Sequence, residues 1–216
     1  MERVEQLRLL KGLINHLDLK TNINAGGIIK TPADTYISEE RFDREWNTFF
    51  LNHPQIIGLS GDLPKPNSFV TTEDFGVPIL AVRDDTGEFK AYANVCPHRG
   101  VTIESSRKGE KSKFSCPFHG WTFNNEGNLI GYPKKEQFGE IDKDCYGLKE
   151  LPAIEKFGFL WVHPKRDGNI DLDELLGKEL QAEFDAWNFQ SLVFANEDLY
   201  FTDMNWKLAI DTFGET

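Results

Sequence analysis

Cys96-Pro97-His98-Arg99-Gly100 and Cys116-Pro117-Phe118-His119-Gly120-Trp121 are the two sequence motifs of this chain that are most informative about its fold and its site. They are called box 1 and box 2 below. The residues that can bind a metal form the pattern Cys-x-His in box 1 and Cys-x-x-His in box 2. Residues 99–115 lie between the two pairs. Thiolates and imidazoles both bind transition metals. The spacing predicts that Cys96, His98, Cys116 and His119 hold a metal centre.

Short strands and turns surround the two boxes. Segments 77–83 and 88–94 flank the turn 84–87, segments 122–123 and 128–130 flank the turn 124–127, and 157–162 is a further aromatic run. These patterns predict two hairpins and one more strand within residues 69–162. Each box follows a strand-like run, so we expect it on a loop at a strand end. Loops held by a rigid sheet can bring ligands together.

Helical patterns flank this region on both sides. Apolar residues at three-and-four spacing between Val4 and Leu17 predict a helix over residues 1 to about 20. An irregular arm follows over 22–37, and a helix is expected to start near Ser38. After a linker at 164–169, the sequence predicts a helix over 171–189, strands over 192–196 and 198–201, and a helix over 205–213 capped by Thr202 or Asp203.

Bulk composition excludes several classes of protein. The chain has 216 residues, of which 39% are hydrophobic and 27% charged, with a net charge of −11. An acidic balance argues against nucleic acid and anionic membranes as partners. We expect no membrane span, because no stretch approaches about 20 apolar residues. The N-terminus is charged, and no uninterrupted apolar run follows it, so it does not resemble a secretory signal peptide.

Cysteine usage points to a reducing compartment. The chain has three cysteines, and the boxes use two of them, so no disulfide framework is available. We therefore expect a cytoplasmic protein. Cys145 is interpreted as a small buried or semi-exposed residue.

Two kinds of metal centre fit the ligand types. In a Rieske-type [2Fe–2S] cluster, one iron takes two cysteines and the other takes two histidines. A structural zinc ion bound by two cysteines and two histidines is the alternative. Zinc sites usually place two or more residues between paired ligands, whereas box 1 has only Pro97 there. The spacing favours the cluster and leaves zinc open.

Both boxes resemble those of the Rieske domain of aromatic-ring-hydroxylating oxygenases. The resemblance implies that Cys96 and Cys116 hold one iron and that His98 and His119 hold the outer iron, which is the one reduced. It implies a mainly β fold, a Rieske-type antiparallel β-sandwich with N-terminal helices and the start of an α+β catalytic domain. The expected division is 1–40 for the N-terminal helix and arm, 41–165 for the Rieske domain, and 166–216 for the linker and the beginning of the catalytic domain.

The residues beside the ligands resemble the oxygenase kind more than the respiratory kind. Respiratory Rieske proteins carry an extra cysteine in each box, joined as a disulfide, and a serine that donates a hydrogen bond to a sulfide. Val101, Phe118 and Trp121 stand at those positions here. With fewer hydrogen-bond donors, we expect a potential toward the low end of the Rieske range of about −150 to +300 mV. Trp121 is expected to shield the cluster from water.

The end of the chain supports the same resemblance. Asn205-Trp206-Lys207, Asp211 and Phe213-Gly214-Glu215 resemble the entry to the catalytic domain of a Rieske oxygenase. The resemblance implies that Glu215 is a carboxylate that bridges an iron-ligand histidine and a cluster histidine of the neighbouring subunit. The ligands of the mononuclear Fe(II) follow this point in the family, so we expect the chain to be part of a longer protein. His16, His53 and His163 are interpreted as surface or packing residues.

The function implied is therefore that of a terminal oxygenase component. A reductase or ferredoxin would supply electrons, and the full-length parent, expected to be a homotrimer, would use O₂ as a dioxygenase or monooxygenase on a small organic, aromatic substrate. The chain alone is not expected to be catalytically competent. A stand-alone Rieske ferredoxin is the alternative function. It needs roughly residues 69–162 and leaves the flanking segments unexplained.

Overall fold

The structure is a computed structural model that describes residues 2–22 and 27–214. The α-helices in these ranges are α1 (Arg3–Leu19), α2 (Asp34–Ile37), α3 (Glu39–Glu45), α4 (Lys135–Phe138), α5 (Leu172–Trp187) and α6 (Trp206–Gly214). The strands are β1 (Gln55–Leu59), β2 (Ser68–Thr72), β3 (Ile79–Arg83), β4 (Phe89–Ala93), β5 (Lys108–Glu110), β6 (Lys113–Ser115), β7 (Thr122–Asn124), β8 (Leu129–Gly131), β9 (Glu150–Leu151), β10 (Ala153–Lys156) and β11 (Phe159–Val162). Both predicted hairpins and the predicted helices at the start of the chain and near Ser38 are confirmed.

Three antiparallel sheets form the part of the chain that carries the boxes. A five-stranded sheet has the order β5-β2-β3-β4-β9, and two three-stranded sheets have the orders β1-β11-β10 and β6-β7-β8. The predicted antiparallel β fold is confirmed. The expected class, mainly β, describes the sheets around the boxes better than it describes the whole chain, because helical residues outnumber strand residues.

The five-stranded sheet has an apolar core on each face, because successive side chains of a strand point to opposite sides. In β3, Leu80 and Val82 belong to one buried cluster, which also contains both box cysteines. Ile79 and Ala81 belong to a second cluster, which contains Leu160 and Val162 of β11. The sheet thus separates the core around the boxes from the core under β1, β10 and β11.

The chain divides into two compact units, Asp43–Phe201 and the combination of Met1–Phe42 with Thr202–Thr216. In the second of these, the Tyr36 hydroxyl donates to Asp211 at 2.7 Å, and the Asn205 side-chain amide donates to the Tyr36 carbonyl at 3.0 Å. These bonds join α2 to α6. The apolar side chains of α1 that predicted this helix are exposed.

Two predictions about the last part of the chain are wrong. Segments 192–196 and 198–201 have no regular secondary structure, and neither joins a sheet in the described residues. Their apolar residues favour strands, but a strand also needs a partner for its backbone hydrogen bonds. Helix α6 begins at Trp206, and Asn205 rather than Thr202 or Asp203 caps it, since Asn205 Oδ1 accepts from the Lys207 amide at 3.1 Å.

Helix α5 confirms the prediction over 171–189 but is not continuous. Asp171 Oδ1 accepts hydrogen bonds from the amides of Asp173 and Glu174 and so caps its start. Gly177 has φ of 64° and interrupts the helix with a kink.

Candidate metal centre

Box 1 forms a closed loop directly after β4. The Cys96 amide donates to the Val101 carbonyl at 2.8 Å, and the Gly100 amide donates to the Cys96 carbonyl at 2.9 Å. An isolated antiparallel bridge between Val95 and Thr102 joins the two ends of the loop. Gly100 has φ of 72°, a left-handed conformation that glycine adopts without strain. These contacts hold Cys96 and His98 on one short, fixed turn.

Box 2 repeats this arrangement between β6 and β7. The Cys116 amide donates to the Trp121 carbonyl at 2.8 Å, and the Gly120 amide donates to the Cys116 carbonyl at 2.9 Å. Ser115 pairs with Thr122 at the base of the loop. Gly120 has φ of 67°. The two loops therefore share one backbone pattern, although they differ in the number of residues between cysteine and histidine.

The two thiol groups meet in the core. Cys96 and Cys116 are 2% and 3% exposed, and both belong to the cluster that packs against β3. Burial raises the pKa of the Cys96 thiol, while the backbone amides of His98 and Arg99 oppose that rise by donating to the sulfur, and the Cys116 thiol beside it adds to the rise. A metal that binds here would replace the thiol proton.

The two imidazoles lie beside each other and are half-buried. The ring centroids of His98 and His119 are 4.9 Å apart, with an interplanar angle of 67°. Burial lowers the pKa of His98, and the nearby His119 and Arg99 act in the same direction. A low pKa keeps the imidazole neutral, which is the form that binds a metal. The structure thus places all four predicted ligands around one region.

One buried nitrogen tests whether this region fits a metal cluster. Among the described residues, His119 Nδ1 is buried and has no hydrogen-bond partner. A buried polar atom without a partner is costly, and a neutral imidazole nitrogen can instead give its lone pair to a metal. In the same ranges, no group of three or more His, Cys, Asp or Glu side chains can hold a single metal ion. A two-iron cluster needs only two protein ligands at each iron, so the residues present fit that group.

Two aromatic side chains pack against the His98 ring. The ring planes of His98 and Trp121 are 2° apart, with centroids at 4.8 Å, and Trp121 is almost completely buried. Phe138 contacts His98 edge-on at 5.5 Å and Trp121 at 5.8 Å. On the other imidazole, the Phe118 ring lies 3.8 Å from His119 and is 56% exposed. Trp121 thus lies against one of the predicted ligands, and its expected role in shielding the cluster from water stays a prediction.

Sequence reasoning missed several residues around the boxes. Phe138, Tyr132 and Tyr146 all contact Trp121 or its neighbours. Asn94 is buried, and its side chain donates to the Glu104 carbonyl at 2.7 Å and accepts from the Glu104 amide at 3.1 Å, which fixes the end of β4. Aromatic residues recur in the sequence between box 2 and residue 146, which is a signal for ring packing near the box, whereas no sequence pattern indicates the contact between Asn94 and Glu104.

Four other residues singled out from the sequence, Glu215, Cys145, His53 and His163, do not belong to the two boxes. Glu215 lies outside the described residues, whose last element, α6, ends at Gly214. Cys145 is exposed, so the expectation of a buried or semi-exposed residue is wrong. His53 and His163 line a groove of about 690 Å³ that also includes Asp171, and no box residue lines it. No helix in the described ranges is long and apolar enough to cross a membrane.

Comparison with known families identifies the class of domain. The model of the Rieske [2Fe-2S] domain matches residues 53–153, a stretch that contains both boxes. This chain therefore carries a Rieske domain, and the match supports the iron–sulfur cluster over the zinc ion that spacing left open.

Comparison with individual proteins extends the likeness beyond that domain. The chain is 30% identical over 193 residues to the alpha subunit of toluate 1,2-dioxygenase from Pseudomonas putida, which covers 86% of this chain and 42% of that subunit. It is 27% identical to the oxygenase subunit of carnitine monooxygenase from Acinetobacter baumannii, over 85% of this chain and 50% of that subunit. The resemblance to the large subunits of Rieske oxygenases is confirmed.

Solved structures show the same relationship in three dimensions. A quaternary ammonium Rieske monooxygenase matches 85% of this chain and 52% of its own, with a TM-score of 0.75 and 26% identity. A naphthalene 1,2-dioxygenase matches 66% of this chain and 32% of its own, with a TM-score of 0.60 and 31% identity. The chain thus spans about half the length, or less, of these relatives. Because most of the chain matches oxygenase components, the comparisons favour the oxygenase over the stand-alone ferredoxin.

Proposed function

We propose that Cys96, Cys116, His98 and His119 hold a [2Fe–2S] cluster. The thiolates of Cys96 and Cys116 would bind one iron, and the imidazoles of His98 and His119 would bind the other, which is the iron that is reduced. The observation that carries this proposal is the convergence of two matching loops on one region, where His119 Nδ1 is buried without a hydrogen-bond partner. When bound, such a cluster accepts and releases single electrons.

The chain's own residues would set the conditions for that transfer. The backbone amides of His98 and Arg99 donate toward the Cys96 sulfur and stabilise negative charge there. Trp121 stacks on His98 and fixes the orientation of its ring. The Asn94 side chain holds the backbone just before box 1. A rigid shell of this kind keeps the geometry of the ligands the same before and after an electron arrives.

The parent protein is proposed to be the large component of a Rieske oxygenase. A reductase or ferredoxin would deliver electrons to this chain, and the electrons would continue to a mononuclear Fe(II) site in the remaining part of the protein. The relatives are named for toluate, naphthalene and carnitine, so O₂ and a small organic substrate are the proposed reactants. A homotrimer in the cytoplasm is part of the same proposal, as is the division into 1–40, 41–165 and 166–216.

Glu215 has a proposed role in this larger protein. Its carboxylate would join a histidine ligand of the mononuclear iron to a cluster histidine of the neighbouring subunit. What supports this is the sequence alone, since Glu215 follows the Asn205-Trp206-Lys207 and Asp211 pattern of the oxygenases.

Ligand substitution tests the cluster. Cys96→Ser, Cys116→Ser, His98→Ala and His119→Ala each remove one ligand, so we expect each variant to lose the visible absorption and circular dichroism of a Rieske cluster. Cys145→Ser and His53→Ala are the matched controls, because Cys145 is exposed and His53 lines a separate groove. Retention of the wild-type spectrum by any of the four ligand variants would contradict the assignment.

A single-turnover assay of the full-length protein tests the proposed reaction. The reduced enzyme is mixed with O₂ and, in turn, an aromatic acid, naphthalene and a quaternary amine, and oxygenated product is measured. We expect product with at least one of these classes, and slower electron transfer in Glu215→Gln with an unchanged cluster spectrum. Electron transfer to an added acceptor without product from any class would favour the ferredoxin.

A further inference from the structure

Phe138 is the last residue of α4 and lies outside both boxes. Its ring contacts His98 at 5.5 Å with an interplanar angle of 75°, so an edge of one ring meets the face of the other. The same ring contacts Trp121 at 5.8 Å and Tyr132 at 5.9 Å. Phe138 is therefore held by three aromatic neighbours, of which one is a proposed ligand of the outer iron.

The backbone around Phe138 is shaped to place this ring. Lys134 and Gly139, which flank α4, have φ of 55° and 71°, so a residue with positive φ stands at each end of the helix. The Gly139 amide donates to the Lys135 carbonyl at 3.0 Å and closes the turn. Farther along the same segment, the Lys143 ammonium donates to the Ile130 carbonyl at 3.2 Å and ties it to β8. The turn that carries Phe138 is thus closed by its own backbone, and the segment after it is tied to β8.

Phe138 contacts the His98 ring from a partly exposed position. Trp121 is buried beneath the imidazole, whereas Phe138 is 38% exposed. Two aromatic rings thus contact His98, one of them buried and one of them partly exposed.

We propose that Phe138 is a positioning residue that acts through His98 to lower the reduction potential of the cluster. Reduction adds one negative charge to the cluster, and water stabilises that charge better than an aromatic ring does. Exposure to solvent is one of the factors that set the potential of an iron–sulfur cluster. Removal of the ring admits water to His98 and makes reduction more favourable. This inference rests on the proposed ligation by His98.

Redox titration of the full chain with its cluster bound tests the inference. The midpoint potential is measured by visible circular dichroism for the wild type, Phe138→Ala, Phe138→Leu and the control Phe201→Ala, whose side chain is 93% exposed. We expect a higher potential in Phe138→Ala, a smaller rise in Phe138→Leu because leucine keeps part of the cover, and the wild-type value in Phe201→Ala. A ferrous chelator is also expected to bleach the reduced cluster several-fold faster in Phe138→Ala than in the wild type.

The outcomes separate this inference from the proposed function. A wild-type protein without a Rieske spectrum would overturn the ligand set itself. A normal spectrum in Phe138→Ala with an unchanged potential and bleaching rate would overturn the role of Phe138 alone. If Phe138→Ala does not bind the cluster, Phe138→Leu decides, since a rise in its potential supports the role and the wild-type value overturns it.

Discussion

Gly100 and Gly120 hold matching positions in the two box loops, but their surroundings differ. Both have positive φ, and each donates its amide to the carbonyl of the cysteine four residues earlier. A Cβ added to Gly100 would meet no atom within 4 Å, whereas a Cβ on Gly120 would lie 3.2 Å from Pro133 Cγ. The pair therefore separates the effect of backbone conformation from that of a close neighbour.

Alanine at these two glycines should have unequal effects. Gly100→Ala is expected to destabilise the protein by about 1–2 kcal/mol, the usual excess for an L-residue in the left-handed region. Gly120→Ala should lower the free energy of unfolding by a larger amount, because Pro133 must also shift. Chemical denaturation of both variants, followed by circular dichroism, checks the order. Equal losses would show that Pro133 moves freely.

Single residues also show what a sequence can and cannot predict here. Cys96, His98, Cys116 and His119 could be predicted as a set because two short motifs carry them with the right residue types. Phe138 could not be predicted as a neighbour of His98, since tertiary packing alone brings these distant positions together.

The turn between β3 and β4 is the element whose stability depends most clearly on one charge. Asp84 is buried, and Oδ1 accepts from the Thr86 amide at 2.9 Å, the Thr86 hydroxyl at 2.7 Å and the Glu88 amide at 2.9 Å, while Lys90 lies 3.2 Å from Oδ2. Burial opposes ionisation, but these partners outweigh it and hold the pKa of Asp84 below its ordinary value of 3.8.

Acid should therefore weaken this hairpin. A carboxylate with a lowered pKa contributes its full stability above the unfolded-state pKa and loses it as the pH falls through the folded-state pKa. We expect Asp84→Asn to lower the free energy of unfolding by about 1–3 kcal/mol at neutral pH and to reduce its decline below about pH 4. Denaturation between pH 2 and 7 measures both effects. Asp85→Asn, at the exposed neighbour, should behave as the wild type does.

The extended segment 192–201 shows why a strand prediction can fail. Leu192 and Val193 have the residue types of a strand, yet side chains rather than a ladder hold this segment. Lys108 Nζ lies 3.7 Å from the centre of the Phe194 ring, and Arg107 donates to Glu197 at 2.8 Å. Such contacts depend on residues more than 80 positions earlier, so no local pattern predicts them.

Gly61 provides a test of how this segment is held. A Cβ at Gly61 would lie 2.5 Å from the Leu192 carbonyl oxygen, so the backbone must move. Gly61→Ala is expected to destabilise the protein by about 1–3 kcal/mol and to speed proteolysis within 192–201. Limited proteolysis followed by mass spectrometry locates the cuts. Gly12→Ala, where a Cβ meets open space, is the control, and an identical cleavage pattern in the two variants would contradict the close contact.

For the whole molecule, the sequence predicted antiparallel sheet, but it did not predict how the sheets divide the buried side chains into two cores. Alternating strands and turns around the boxes predicted antiparallel sheet, and three such sheets are observed. That β3 divides two cores, with Leu80 facing the boxes and Ile79 facing away, follows from sheet packing that short motifs do not encode. Because the chain spans about half the length of its relatives or less, the reaction of the parent stays a proposal.

Electron–nuclear double resonance on the one-electron-reduced protein is the most direct test that the two boxes hold the cluster. The chain is grown with ¹⁵N-labelled histidine, loaded with iron and sulfide, and reduced. We expect two histidine nitrogens, from His98 and His119, to couple to the reduced iron, and His53→Ala to leave both signals in place. A spectrum with one histidine nitrogen, or with none, would contradict ligation of the cluster by the two boxes.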